Sequence, residues 1–179
     1  MLFRKVRTIP AAAAVVVLLL QMSVANMGFA QVESARFNRG GLTLLLGSGV
    51  GINGGWPRGV GLGGPSLGIG DFLEEDLAVM VRGTGVFSSD RLSYVVGLSL
   101  QYWLNNRFSV EGGPGVGAWM HTLEEGGQGF GLIVGTSYTV LGGGMHSLQV
   151  GVEYAFFSSY PGNRRVVRNL GLVLRYQLL

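Results

Sequence analysis

The chain alternates bulky apolar residues with small or polar ones over long runs. From Ser93 to Leu104, the even positions hold Tyr, Val and Leu, and the odd positions hold Ser, Gly and Gln apart from Val95 and Trp103. From Leu170 to Leu178, Leu and Tyr alternate in the same way with Gly, Val, Arg and Gln. Successive side chains of a β-strand point to opposite faces, so this period of two predicts strands with two unlike faces.

Eight runs of this kind follow one another, and most span about 9 to 13 residues. Ordinary strands are shorter, whereas a tilted strand needs about 9–11 residues to cross a bilayer. In the second run the alternation shifts by one at Gly63, Gly64 and Pro65, which predicts a β-bulge there. The predicted strands are Leu42–Val50, Val60–Gly70, Leu77–Phe87, Ser93–Leu104, Phe108–Trp119, Gly129–Leu141, Ser147–Phe157 and Val166–Leu179.

The face that carries the apolar residues decides what surrounds the sheet. Gly, Ser and Thr fill a dry core poorly, but they suit a narrow polar lumen, so we interpret the bulky face as one that contacts lipid. Closure is then required, because an open edge in lipid leaves backbone groups unpaired. We therefore predict an all-β protein, an eight-stranded antiparallel up-and-down transmembrane β-barrel over residues 41–179. Most charged residues fall in predicted connections, where water is available: Glu74, Glu75, Asp76, Asp90, Arg91, Arg107, Glu124, Glu125, Arg164 and Arg165.

The N-terminus has the three-part pattern of a cleavable signal peptide. Arg4, Lys5 and Arg7 precede an apolar run of about twelve residues, which is too short to span a bilayer as a helix. We predict a signal peptide over residues 1–30 and a short leader over residues 31–40. Cleavage after Ala25 and after Ala30 both fit, and Ala30 is favoured because it leaves a polar mature start.

Removing the signal peptide changes the charge balance. The mature chain has 13 − 3 = 10 basic residues against 10 acidic ones and no lysine, which excludes a basic nucleic-acid surface. The absence of cysteine excludes disulfides and thiolate zinc sites. We expect no metal, no cofactor and no catalytic residue.

The last strand carries the most specific motif, Asn169-Leu-Gly-Leu-Val-Leu-Arg-Tyr176. With the eight strands, it resembles the small outer-membrane β-barrels of Gram-negative bacteria, such as the OmpA transmembrane domain and OmpX. The resemblance covers Gly41 to Leu179 and implies that Asn169, Gly171, Leu174 and Tyr176 form an assembly signal read by the barrel-insertion machinery. The chain departs from that family by ending in Gln-Leu-Leu instead of a terminal aromatic residue.

The resemblance also implies location in the cell outer membrane, contact with membrane lipid and lipopolysaccharide, and a monomer. Both chain ends would be periplasmic, since the strand number is even. Aromatic residues are expected in two girdles. One contains Trp56, Phe87, Tyr94, Trp119, Phe130, Phe156 and Tyr160, and the other contains Phe72, Tyr102, Trp103, Phe108, Tyr138 and Tyr176.

Two charges fall on the polar faces of opposite strands, Arg82 on the third and Glu153 on the seventh. Counting residues from the hairpins places Gly68 and Gly97 beside Arg82, and Gly135 and Gly171 beside Glu153. We predict that Arg82 and Glu153 face one another inside the barrel, because a charge in this space must be paired or hydrated. The same network is expected to include Glu111, Gln101, Gln149 and Arg175.

The function predicted from these features is a structural or interaction barrel with a plugged, polar lumen. A narrow small-solute channel is the first alternative. An outer-membrane lipid-modifying enzyme is the second, and it would use His121 with Glu124 and Glu125 in an external loop, or His146 and Ser147.

Overall fold

The computed structural model describes residues 39–54, 59–89, 91–122, 124–160 and 165–179, all within the unit Arg36–Leu179. The predicted signal peptide and most of the predicted leader lie outside the described residues. The strands are β1 (Leu42–Asn53), β2 (Gly59–Glu74), β3 (Leu77–Ser88), β4 (Arg91–Trp103), β5 (Phe108–His121), β6 (Glu124–Gly143), β7 (His146–Tyr160) and β8 (Arg165–Leu178). Among the described residues, no helix is long and apolar enough to cross a membrane.

The strands form one closed antiparallel barrel in chain order, β1 to β8. Closure comes from the β1–β8 pair, which runs in register from Leu44 opposite Leu178 to Asn53 opposite Asn169. The eight-stranded up-and-down barrel is therefore confirmed. Chain entry and exit lie at the same end, here called the terminal end, and the opposite end is called the distal end.

Strand positions agree with the period-two prediction, and most strands extend beyond the predicted limits. The largest extension is in β6, predicted as Gly129–Leu141 and observed as Glu124–Gly143. The bulge predicted near Gly63–Pro65 is confirmed, because the β1–β2 register shifts between Gly47 and Gly49 and the β2–β3 register between Gly63 and Leu67.

The outer wall of the barrel is apolar. Leu98 is 53% exposed, Leu174 is 51% exposed and Phe130 is 80% exposed, while their neighbours along each strand point into the lumen. In the described strands, away from the strand ends, two charged side chains face outward, Asp71 near the terminal end and Arg168 near the distal end. Apolar wall residues also lie beyond these charges, Leu73 (60% exposed) on the terminal side of Asp71 and Val166 (43% exposed) on the distal side of Arg168.

Three of the predicted girdle residues are placed differently, while Trp56 and the side chain of Tyr160 lie outside the described residues. Phe72 faces the lumen, because its register partner Ala78 is buried and its ring packs beside Trp103, so its girdle assignment is wrong. Trp103 is 3% exposed and Trp119 is 4% exposed, and both point into the lumen. The girdle assignment is wrong for these two residues, because they occupy the inward positions of β4 and β5. Trp103 lies at the terminal end and Trp119 towards the distal end, and each packs in an apolar cluster that fills the lumen.

Candidate functional site

Four charged side chains meet in the middle of the lumen: Arg82 on β3, Glu111 on β5, Glu153 on β7 and Arg175 on β8. Arg82 contacts both glutamates, through Nη1 to Glu111 and Nη2 to Glu153. Arg175 Nη2 lies 2.7 Å from Oε1 of each glutamate. The side chains are at most 2% exposed, so two positive and two negative charges compensate one another away from bulk water. We call these four residues the charge cluster.

Hydroxyl groups complete the cluster around Glu153. Ser66 Oγ donates to Glu153 Oε1 at 2.7 Å and accepts from Arg82 Nη2 at 3.0 Å. Thr84 donates to the second carboxylate oxygen, and Arg175 Nε donates to Oε1 at 2.8 Å. Glu153 is therefore held by two arginines and two hydroxyls. Ser66 and Thr84 were not among the predicted site residues, although both are polar and inward, and that combination could have identified them.

Strand register brings glycines next to the charged residues. Arg82 lies between Gly68 and Gly97, and Glu153 lies between Gly135 and Gly171, as residue counting predicted. A Cβ atom on Gly135 would lie 2.4 Å from Glu111 Oε1. A side chain at that position would therefore occupy the space that Glu111 needs.

The glutamines lie in a separate layer on the terminal side of the charge cluster. Gln177 donates to Gln101 Oε1 at 2.9 Å and accepts from Gln149 at 3.0 Å. Serine and threonine hydroxyls close the layer through bonds from Gln101 to Ser109, from Ser137 to Gln149, from Gln149 to Ser147 and from Gln177 to Thr43. The prediction that Gln101 and Gln149 join the network of Arg82 and Glu153 is wrong, because those amides bond within the glutamine layer, even though Gln101 is the register partner of Glu111 and Gln149 that of Arg175.

Apolar side chains fill the lumen on the distal side of the charge cluster. This distal apolar cluster consists of Val95, Trp119, Ile133, Ala155, Phe157 and Val167. The Phe157 ring reaches across to β5, where a Cβ atom on Gly117 would lie 2.3 Å from it. Glycine at 117 therefore makes room for a ring that closes the lumen.

The terminal end of the lumen is closed by a second apolar group. Trp103 packs with Ala78 and Leu179, and the Phe72 ring lies 5.3 Å from it, centroid to centroid. The Arg39 guanidinium lies 4.8 Å from the centre of a Trp103 ring and donates to the Asn106 carbonyl at 3.1 Å. Burial lowers the pKa of Arg39, and the carboxylates of Glu75 and Asp76 oppose that shift.

The four residues of the predicted assembly signal divide between the two faces of β8. Asn169 and Gly171 point into the lumen, where the Asn169 amide donates to Ser93 Oγ at 2.8 Å. Leu174 and Tyr176 point outward and are 51% and 41% exposed. The Tyr176 hydroxyl contacts His146 Nδ1.

Of the residues of the enzyme alternative, His146 and Ser147 are not brought together, and the side chains of Glu124 and Glu125 lie outside the described residues. His146 is exposed and stacks on Tyr176, whereas Ser147 is 2% exposed and bonds within the glutamine layer, so the two point to opposite faces. His121 is the register partner of Glu124 at the distal end of β5. No group of three or more His, Asp or Glu suited to a metal ion occurs in the part of the chain that the structure describes.

Comparison with solved structures places this barrel beside small outer-membrane barrels. Neisserial surface protein A matches with a TM-score of 0.53 at 17% identity, over 76% of this chain and 96% of that chain. Ail from Yersinia pestis, in complex with the heparin analogue sucrose octasulfate, matches with a TM-score of 0.49 at 14% identity, over 78% and 99%. The N-terminal β-barrel domain of Pseudomonas aeruginosa OprF gives 0.47 at 9% identity, over 78% and 100%.

No protein-family model and no curated protein sequence matches the chain. The likeness to Neisserial surface protein A shows the fold: this chain is an eight-stranded barrel of the kind found in small outer-membrane proteins.

Proposed function

We propose that this protein is an integral outer-membrane barrel of a Gram-negative bacterium, with a structural or interaction role and a lumen closed to solutes. The observation that carries the proposal is its sidedness. Leucine, valine and aromatic side chains cover the outer wall, while arginine, glutamate and glutamine are buried inside. A water-soluble barrel has the opposite arrangement, whereas a barrel in lipid needs this one.

The orientation follows from the even number of strands. The terminal end, with its short connections at residues 75–76, 104–107 and 144–145, is periplasmic, and the distal end faces outside. Export uses the N-terminal signal peptide. The folded chain is a monomer in contact with outer-membrane lipid and lipopolysaccharide.

Insertion uses the C-terminal strand. We propose that Asn169, Gly171, Leu174 and Tyr176 are read by the barrel-insertion machinery before the β1–β8 pair closes. The outward, exposed positions of Leu174 and Tyr176 support this role, because nothing inside the barrel requires their side chains.

A conducting channel is not favoured, because four successive layers fill the lumen. These are the distal apolar cluster, the charge cluster, the glutamine layer and the group around Trp103. A lipid-modifying activity is not favoured either, because His146 and Ser147 point to opposite faces of β7.

The experiment that tests membrane integration combines membrane fractionation with gel mobility before and after heating. The protein should be recovered in the outer-membrane fraction, and the unheated sample should migrate differently from the boiled one. Replacing the outward Val81, which is 54% exposed, by Arg should reduce folded protein, because an arginine at the bilayer midplane costs about 2–4 kcal/mol.

The matched control is Val81→Leu, which keeps the wall apolar and should behave as wild type. A water-soluble barrel would accept arginine at this exposed position without loss. Recovery of the wild-type protein in the soluble fraction, or normal folding of V81R, would therefore contradict the proposal.

A further inference from the structure

Arg168 is the charged residue that lies on the mostly apolar outer wall near the distal end, far from the outward Asp71 near the terminal end. It occupies an outward position of β8 and is exposed. Further along the same face towards the terminal end, the outward positions of β8 hold leucines and Tyr176. The backbone carbonyl of Arg168 accepts from the Gly54 amide at 2.8 Å, just beyond the last β1–β8 register pair, so Arg168 lies near the distal end of the wall, with the exposed Val166 beyond it.

The Arg168 side chain has no hydrogen bond, ion pair or ring contact with the residues that the structure describes. The connections 54–58 and 161–164 contain two further arginines in sequence and no carboxylate, and β8 begins with a third, Arg165. As far as the described residues go, the Arg168 guanidinium is open to an anion from the surroundings.

Aromatic side chains lie on the β7 side of Arg168. The register partner of Arg168 on β7 is Phe156, an outward residue that is 37% exposed. Its ring lies 6.0 Å from the Tyr154 ring, centroid to centroid. Aromatic residues on the outside of a barrel concentrate at the level of lipid headgroups, where an arginine costs only about 0–1 kcal/mol.

We propose that Arg168 binds a phosphate group of lipopolysaccharide, on the lipid A moiety, at the outer edge of the barrel. The planar guanidinium presents parallel N–H donors that match two phosphate oxygens. Phe156 and the apolar face of β8 lie beside the acyl chains of the same lipid. This inference rests on the proposed function, since it requires the distal end to face the outer leaflet.

The test measures binding of purified lipid A to the folded, full-length mature protein in detergent by native mass spectrometry. Arg168→Gln should weaken binding by about tenfold or more, because it removes a charge-assisted hydrogen-bond pair. Lipid A stripped of its phosphates should bind the wild type as weakly as intact lipid A binds R168Q. The matched control is Arg107→Gln at the terminal end, which should bind as the wild type does.

Equal binding by wild type and R168Q, or by phosphorylated and dephosphorylated lipid A, would overturn the proposal. Binding of phosphatidylglycerol and of inorganic phosphate is measured separately. If either binds as tightly as lipid A, lipopolysaccharide is refuted as the source of the phosphate. Heat-modifiable mobility of R168Q should remain normal. The proposed function fails separately, if the wild-type protein is absent from the outer-membrane fraction.

Discussion

Glu153 illustrates how single residues keep charge inside this barrel. Its carboxylate contacts two guanidinium groups and accepts from the hydroxyls of Ser66 and Thr84. Burying charges costs free energy that the pairing must offset, so the cluster depends on every member being present. Glycines at neighbouring positions supply the space in which these long side chains meet.

Replacing Glu153 by Gln should destabilise the barrel by about 3–5 kcal/mol, because two buried arginines would then face one carboxylate. Equilibrium unfolding by urea in lipid vesicles, followed by tryptophan fluorescence, measures this loss. Glu74→Gln, at an exposed position, is the control and should change little. A double variant that also replaces Arg82 by Gln should lose less unfolding free energy than the two single variants lose together. Strictly additive losses would argue against direct pairing of Arg82 with Glu153.

The two glycines that flank Glu153 should respond differently to alanine. A Cβ atom on Gly135 would clash with Glu111 at 2.4 Å, whereas a Cβ atom on Gly171 would meet its nearest atoms at 3.8 Å, an ordinary contact. Gly135→Ala should therefore lower the free energy of unfolding by about 1–3 kcal/mol, and Gly171→Ala should be close to neutral in the same urea assay. Equal losses would show that the space beside Glu111 is not limiting.

At the scale of the element, β8 has one polar face towards the lumen and one apolar face on the outer wall. Its inward residues contribute Arg175 to the charge cluster and Gln177 to the glutamine layer, while its outward residues extend the apolar wall. It also closes the barrel against β1.

Replacing Tyr176 by Ala should reduce the amount of folded protein in cells if Tyr176 belongs to the assembly signal. Leu172→Ala, at an outward position of the same strand, removes apolar surface without touching the signal and is the control. The measurement is the folded fraction in isolated outer membranes, by gel mobility without heating. The same two variants refolded from urea into vesicles should fold equally well, and a matching defect there would assign Tyr176 a purely structural role.

At the scale of the whole barrel, closure of the lumen is shared among layers of different chemistry. The charge cluster and the glutamine layer satisfy polar groups, and the distal apolar cluster and the Trp103 group exclude water on either side. A single substitution in one layer leaves the other three in place.

Planar-bilayer recordings should therefore show no channel conductance for the wild type and none for Glu153→Ala. Combining Glu153→Ala with Phe157→Ala removes part of the charge cluster and part of the distal apolar cluster. Apolar side chains then exclude water from the lumen at the terminal end only, so detectable conductance is expected. Conductance by E153A alone would show that the charge cluster is the sole barrier. The single variant Phe157→Ala completes the comparison and should remain silent.

The sequence by itself determined the strands, their number, the faces they present and the bulge near Pro65. Those properties are local, because the period of two assigns each residue to one face whatever its distant neighbours are. The placement of Arg82 across the lumen from Glu153 could also be predicted. Counting residues from the hairpins gives the height of each residue, and the third and seventh of eight strands lie on opposite sides of the barrel.

Apart from the pair Arg82 and Glu153, only the tertiary structure decided which inward residues touch. Gln101 and Gln149 were predicted with the right face but assigned to the wrong layer, and Ser66, Thr84 and Gln177 were missed as partners. Phe72, Trp103 and Trp119 were assigned to the lipid-facing girdles although they face the lumen. Contacts across the lumen depend on the stagger of all eight strands and on side-chain length, and no local pattern in the chain encodes either quantity.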